Sequence, residues 1–304
     1  MSFFLKVRNF KAIDEAEIIV EKTLLYGPNG GGKSSIIKAA EIILKTLRGE
    51  EHELIPKYMV RNESETATIE LSYHRDFKAS LEIRKDDVCK LSIRRGKEEE
   101  TAEFAVGRPS LPGRLKRLIP EDVKLNYLHV NPCLFSIAGN EIDACRESIF
   151  LDVSLEGRSE DSDVLNIVDA LKEYGPYFIE DFAGVYRSWV KLGDSWVPPS
   201  YLSYGQLRAL AIIAAASRAE KSKALLAIEG FEAGMHYDLA IALLDHLKEN
   251  SSPIILETHL GLLALLAKEY GWKSYYVEGR VEEEVAKSEL MKKEVERFGL
   301  LFKK

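Results

Sequence analysis

Thr23-Leu24-Leu25-Tyr26-Gly27-Pro28-Asn29-Gly30-Gly31-Gly32-Lys33-Ser34-Ser35 decides the fold. Its first four residues read as a short buried strand. Gly27 to Ser34 fits G-x-x-x-x-G-K-[ST] with no deviation. An apolar-periodic helix follows, from Ser34 to about Leu47. Strand before and helix after is the context that this motif needs. Glycines let backbone N–H groups turn inward around a β-phosphate. Lys33 reaches the β- and γ-phosphates, and the Ser34 hydroxyl suits Mg²⁺. The helix adds the positive end of its dipole.

Outward from this loop, residues 2–8 and 16–20 read as strands. Residues 48–65 are polar and acidic and read as a loop. Three alternating segments, ATIELSYH, KASLEIRK and VCKLSIRR, fill 66–96 and predict an antiparallel meander. Residues 97–123 carry Gly, Pro and a basic cluster: Arg108, Arg114, Lys116 and Arg117. Another strand is expected at 123–131. Residues 134–190 read as mostly helical, and a hairpin is expected around Leu192-Gly193-Asp194. Tyr201 to Gln206 leads into an Ala-rich helix to about Ala219. Wholly apolar strands follow at 224–228 and 253–256. A last strand at Ser274–Val277 and a charged C-terminal helix complete the pattern. Buried strands, helices and one meander together predict an α/β protein with a mixed central sheet, an antiparallel β subdomain and an inserted helical lobe. The reading is one head over 1–304, with sub-regions 1–133, 134–195 and 196–304.

Composition narrows the classes. The 304 residues are 46% hydrophobic and 30% charged, enough apolar surface to exclude global disorder. No run of 18 uncharged apolar residues occurs, so no membrane-spanning helix is expected. The N-terminus has no signal-peptide core, which points to the cytoplasm. Cys89, Cys133 and Cys145 are scattered without CxxC spacing, which argues against zinc and against a disulfide framework. A net charge of −7 is no footprint of a nucleic-acid coat, although a local basic patch remains compatible with it. The chain has a single glutamine, Gln206, and abundant Lys and Glu, a composition that hints at a thermophile.

Four further elements follow in chain order. Leu202-Ser203-Tyr204-Gly205-Gln206 precedes a helix and resembles the LSGGQ signature of ABC ATPases, with Tyr204 replacing the first glycine. Leu225-Leu226-Ala227-Ile228-Glu229 is an apolar strand ending in a carboxylate, as a Walker B does. Glu232-Ala233-Gly234-Met235-His236 resembles the PEAGLH element of recombination-type ATPases. Ile254-Ile255-Leu256-Glu257 ends in Thr258-His259, which resembles the switch histidine. With the opening Lys6-Val7-Arg8-Asn9-Phe10-Lys11, the order resembles the ABC-type heads of the structural-maintenance-of-chromosomes and recombination/repair superfamily. The overcoming-lysogenization-defect ATPases share these traits. The resemblance is strong at 3–46 and 200–262.

The resemblance implies a P-loop ATPase that binds ATP and Mg²⁺ and pairs head-to-tail as a homodimer around two nucleotides. Asn29, Gly30, Gly31, Gly32, Lys33, Ser34 and Ser35 would hold the nucleotide, with Lys11 near it. Ser203, Gly205 and Gln206 would approach it from the second copy. His259 would reach the γ-phosphate, and His236 would lie near the dimer-facing loop. Ser34 and Glu229 are the candidate metal ligands.

Two departures qualify this. Alignment on the EAGMH element puts Glu229 at the first Walker B carboxylate and Gly230 at the second. Either Glu229 serves the metal and Glu232 or water-mediated groups replace the base, or Glu229 itself polarises water. Slow turnover is expected, because a positioned base is worth roughly 10²–10⁴-fold. Moreover, Gln206 sits inside the signature, so no glutamine can fill the family's glutamine loop. Asn131 or His129 is the candidate substitute, with Asn131 as a metal ligand.

Three functions fit: an ATP-hydrolysing head acting on DNA or chromosomes, an ATP-gated clamp or scaffold with little turnover, and a defence-type ATPase that regulates a partner effector. The interval 35–202 lacks sustained heptads, so the expectation is a head without coiled-coil arms.

Overall fold

The computed structural model describes residues 2–52, 55–61, 63–130, 179–181, 188–192, 195–197 and 203–283. Asn131, most of the stretch 134–190 expected to be helical and the C-terminal helix lie outside the described residues; where 134–190 is described, at 179–181 and 188–190, it is strand and not helix. The chain forms two compact units. The first joins Met1–Tyr127 to Pro253–Lys304, and the second is Leu128–Ser252.

The first unit opens with β1 (Phe3–Phe10), β2 (Ile13–Val20), β3 (Lys22–Tyr26) and α1 (Lys33–Arg48). A short α2 (Pro56–Met59) follows in the stretch read as a loop. Then come β4 (Thr66–Tyr73), β5 (Phe77–Arg84), β6 (Val88–Arg95), β7 (Glu98–Ala105) and α3 (Gly113–Leu118). In β8 (Asn126–Val130) the chain passes into the second unit. There the described residues form β9 (Ile179–Asp181), β10 (Ser188–Leu192), β11 (Ser195–Val197), α4 (Tyr204–Ser222), β12 (Ala224–Ile228) and α5 (Tyr237–Lys248). The chain returns to the first unit with β13 (Ile254–Thr258), α6 (Gly261–Glu269), β14 (Lys273–Glu278) and β15 (Arg280–Glu283).

Within the first unit the strand order is β7-β6-β5-β4-β1-β2-β15-β14-β3-β13. β3 runs parallel to both its neighbours, with Glu257 opposite Leu25 and Tyr276 opposite Tyr26. Parallel strands are covered on both faces, which is why β3 and β13 are buried with no alternation of faces. The meander β4–β7 is antiparallel, and in β4 and β5 buried and half-buried residues alternate. In the second unit β12 lies beside β8, and β9–β11 form a small antiparallel sheet. Its antiparallel β10–β11 pair, with Leu192 opposite Ser195, is the hairpin expected from the sequence.

β7, like β15, is a strand that sequence reading passed over. EEETAEFA is acidic and mostly exposed. It is an edge strand, and charge there blocks pairing with foreign strands. Its acids face bases across the ladder, with Glu98 opposite Arg95 and Glu99 opposite Arg94.

α1 is buried on most of its surface, and Gly49 ends it in a left-handed conformation. His52 folds back beside this end. Its Nε2 lies 3.0 Å from Thr46 Oγ1, and its Nδ1 has no hydrogen-bond partner among the described residues. Burial of the ring, 6% exposed, lowers its pKa from 6.5 to about 4. The unfolded chain therefore takes up this proton first as pH falls. The stability contributed by neutral His52 is complete above pH 6.5 and is lost as pH drops toward 4. At pH 5 the loss is about 2 kcal/mol. His52→Gln should flatten the pH dependence by that amount when urea midpoints are compared at pH 7 and pH 5.

Candidate functional site

The phosphate loop in the first unit is built by close packing. A Cβ on Gly27 or Gly31 would overlap the Val277 carbonyl oxygen, and one on Gly32 would overlap the Ile13 side chain. The loop is therefore seated between the β1–β2 turn and the end of β14. Two backbone hydrogen bonds fasten it: Gly279 N–H to Gly31 O at 2.8 Å, and Asp14 N–H to Gly279 O at 2.8 Å.

Helix α1 starts directly from this loop. No side chain caps its N-terminus, and its first turn holds no acid. The first intrahelical bond is Ile36 N–H to Gly32 O, at 3.1 Å. The amides before it have no intrahelical acceptor, and the dipole end is positive. These donors fit an anion, and the glycine seat leaves the loop backbone bare toward it.

Lys33 is 3% exposed. Its Nζ donates to Gly27 O at 3.0 Å and Pro28 O at 2.9 Å. His259 is brought to the same place, with Nδ1 3.3 Å from Lys33 Nζ and 3.3 Å from Gly27 O. The strand end that carries it also delivers Glu257, a residue that motif reading did not single out. Ser34 Oγ donates to Glu257 Oε2 at 2.8 Å. Glu257 Oε1 is 3.8 Å from Lys33 Nζ and 3.8 Å from His259 Nε2. The available signal was a carboxylate on an otherwise apolar strand, two residues before the histidine. Oxygen donors of this kind suit Mg²⁺.

Other expected residues of this unit stand apart from that cluster. Asn29 and Gly30 are exposed at the loop tip, and Ser35 is buried in the first turn of α1. Lys11 occupies the β1–β2 turn at φ 50°, with an exposed side chain and its amide bonded to Met59 O at 2.7 Å. The basic cluster is partly neutralised, with Arg114 3.2 Å from Glu100 and Arg108 3.9 Å from Glu51.

The second unit gathers the remaining motifs. Ser203 is exposed immediately before α4, and Gln206 lies in its first turn. Gly205 is buried against the Gly234–Met235 backbone, where a Cβ would overlap Gly234 O. Arg208, fully buried, donates through Nε to Gly230 O at 3.2 Å and through a second guanidinium nitrogen to Glu229 O. Sequence reasoning missed this link, although an arginine five residues after Ser203 on an Ala-rich helix is visible. Glu229 receives its position from β12 and from its amide bond to Val130 O at 2.9 Å, and His129 Nε2 is 3.5 Å from its Oε1. Gly230 has φ 53°, a left-handed backbone that disfavours a side chain. Glu232 is half-buried in the turn that follows. His236 caps α5, accepting from Asp238 N–H at 3.4 Å.

Comparison with known proteins agrees with this architecture. The family model described as "AAA domain, putative AbiEii toxin, Type IV TA system" matches residues 146–265, the span of Ser203, Glu229, Glu232 and His259. No curated protein matches the sequence. The SMC head domain from Thermotoga maritima is similar over 93% of this chain and 98% of its own, at 16% identity and TM-score 0.56. The SmcHead bound to the C-winged helix domain of ScpA is similar over 94% and 98%, at 14% identity and TM-score 0.59. The chain has the mixed α/β fold of an SMC-type P-loop ATPase head. No helix among the described residues is long and apolar enough to cross a membrane.

Arg208 ties the start of α4 to the Glu229–Gly230 turn. Arg208→Met removes a charged donor from two backbone carbonyls and should lower stability by about 3 kcal/mol, read from urea unfolding.

Proposed function

We propose that the chain is an ATP-binding and slowly ATP-hydrolysing head that dimerises around two Mg–ATP molecules. The observation that carries this reading is the phosphate loop itself. Gly27, Gly31 and Gly32 are packed too closely for side chains, the helix start is uncapped, and Lys33 and His259 converge at Gly27 O. Such a cradle suits a polyphosphate.

In this reading Asn29 to Ser35 hold the phosphates, and Lys33 and His259 face the terminal phosphate. Lys11 flanks the nucleotide. Mg²⁺ would be held through Ser34, and it would supply charge neutralisation at the β- and γ-oxygens. Ser203 and Gly205, with Gln206 behind them, present donors at a helix start to the nucleotide of a second copy. Glu229 and Glu232 are the carboxylates available for the metal shell or for polarising water. Asn131 and His129 are the candidates for the glutamine-loop role. The setting is DNA or chromosome maintenance or repair in the cytoplasm, with an unidentified partner subunit supplying reach.

One observation favours a second reading, an ATP-gated clamp or regulatory ATPase with little turnover. The position for the second Walker B carboxylate is Gly230, whose φ of 53° suits glycine. A side chain there adds roughly 1–2 kcal/mol of backbone strain.

Light scattering with no nucleotide, with ADP and with ATP plus Mg²⁺ tests both readings beside phosphate release. A dimer only with ATP, lost in Lys33→Ala and in Ser203→Arg, is the expected result. Phosphate release should fall roughly 10²–10⁴-fold below that of an ATPase with a positioned base. A monomer in every state would sink the self-contained head-to-tail device.

A further inference from the structure

We propose that Glu257 is the carboxylate that holds the nucleotide-bound magnesium, the task that motif alignment gives to Glu229. The proposal rests on the ATP-binding reading above. A glutamate inside Ile254–Thr258 is unexpected on packing grounds. All five residues of that strand are buried, and Glu257 is 6% exposed. A carboxylate so placed costs several kcal/mol unless specific partners compensate it. Strand register explains its address. Glu257 pairs with Leu25, two residues before the glycine loop begins, so the end of β13 is held at the phosphate loop.

The partners identify the task. If Glu257 served only to neutralise Lys33, its oxygens would lie within hydrogen-bond reach of the ammonium. The closest approach is 3.8 Å, and Lys33 Nζ gives hydrogen bonds at 2.9 and 3.0 Å to Pro28 O and Gly27 O. The hydrogen bond to the carboxylate comes instead from Ser34 Oγ, at 2.8 Å. Ser34 is the hydroxyl that the motif assigns to Mg²⁺. Magnesium holds oxygens octahedrally at 2.0–2.1 Å, so adjacent ligands lie about 2.9 Å apart. The Ser34–Glu257 oxygen pair already has that spacing. Both can serve one ion once the hydroxyl proton turns away from the carboxylate.

Magnesium sites at phosphates need only one or two carboxylates, with phosphate and water completing the shell. A single carboxylate beside a hydroxyl fits that economy. Charge gives the proposal a sign. Without a metal, Glu257 repels a polyphosphate bound at the loop. With Mg²⁺ it attracts the complex.

The test is calorimetric titration of the full chain with a non-hydrolysable ATP analogue, in Mg²⁺ and in EDTA. The wild type should bind more tightly in Mg²⁺. Glu257→Gln should bind the metal-free analogue at least as well as wild type, and should lose about tenfold or more of the Mg²⁺ enhancement. Glu229→Gln should keep that enhancement. If Glu257→Gln does not fold, Glu257→Asp retains the charge facing Lys33 but withdraws the oxygens by roughly 1.5 Å. That variant should also lose most of the enhancement. Unchanged Mg²⁺ dependence in the folded Glu257 variant, or its loss in Glu229→Gln alone, overturns the proposal. Absence of analogue binding by the wild type in both buffers overturns the ATP-binding reading and the proposal with it. Retained metal-free binding separates the two failures.

Discussion

The first unit depends on a steric constraint, the absence of side chains at Gly27, Gly31 and Gly32. The Val277 carbonyl occupies the space that a Cβ on Gly27 or Gly31 would need, and Ile13 does the same at Gly32. That fit lets the loop lie between two turns that are far apart in sequence. The Gly31–Gly279–Asp14 hydrogen-bond relay then locks β1–β2 and β14–β15 to it. Lys33 can return to Gly27 O and Pro28 O only because those carbonyls are fixed. His259 and Glu257 arrive because β13 pairs in parallel register with β3. A larger residue in the loop would disturb the seat of the anion site and the alignment of its charged partners together.

The second unit is organised by a buried cation. Arg208 is fully enclosed, and its guanidinium donates to backbone carbonyls at Glu229 and Gly230. Carbonyl oxygens carry partial charges, so these two offset part of its desolvation. Glu229 keeps its side chain available and faces His129. Gly205 closes the other side by resting on Gly234 and Met235. The exposed Ser203 end of α4 and the Glu229–Met235 turn are therefore one packed body. Displacement of one would require rearrangement of the other.

Much of this was legible. The phosphate loop, the parallel apolar strands, the meander and the His259 position follow from spacing and from hydrophobic period, both short-range properties. What escaped is instructive. β7 escaped because an edge strand is charged, and its pairing is visible only when Arg94 and Arg95 are known to lie opposite. Arg208 escaped because burial of a cation depends on carbonyls more than twenty residues away. Glu257 escaped because the motif was read for its histidine, and the 2.8 Å contact with Ser34 spans 223 residues. His236 and Lys11 were legible as positions but carry local geometry, a helix cap and a left-handed turn.

The absence of a carboxylate at Gly230 and its presence at Glu257 fit one physical pattern. Gly230 lies in a left-handed conformation, where a glutamate would add backbone strain, and its carbonyl is already taken by Arg208. Retaining a carboxylate there would oppose local backbone preference. At Glu257 the balance is reversed. The backbone is ordinary strand, and the burial penalty is offset by a hydroxyl donor, a nearby ammonium and an imidazole. A buried carboxylate persists where several partners share its charge. Backbone and partners therefore permit a buried carboxylate at Glu257 and disfavour one at Gly230.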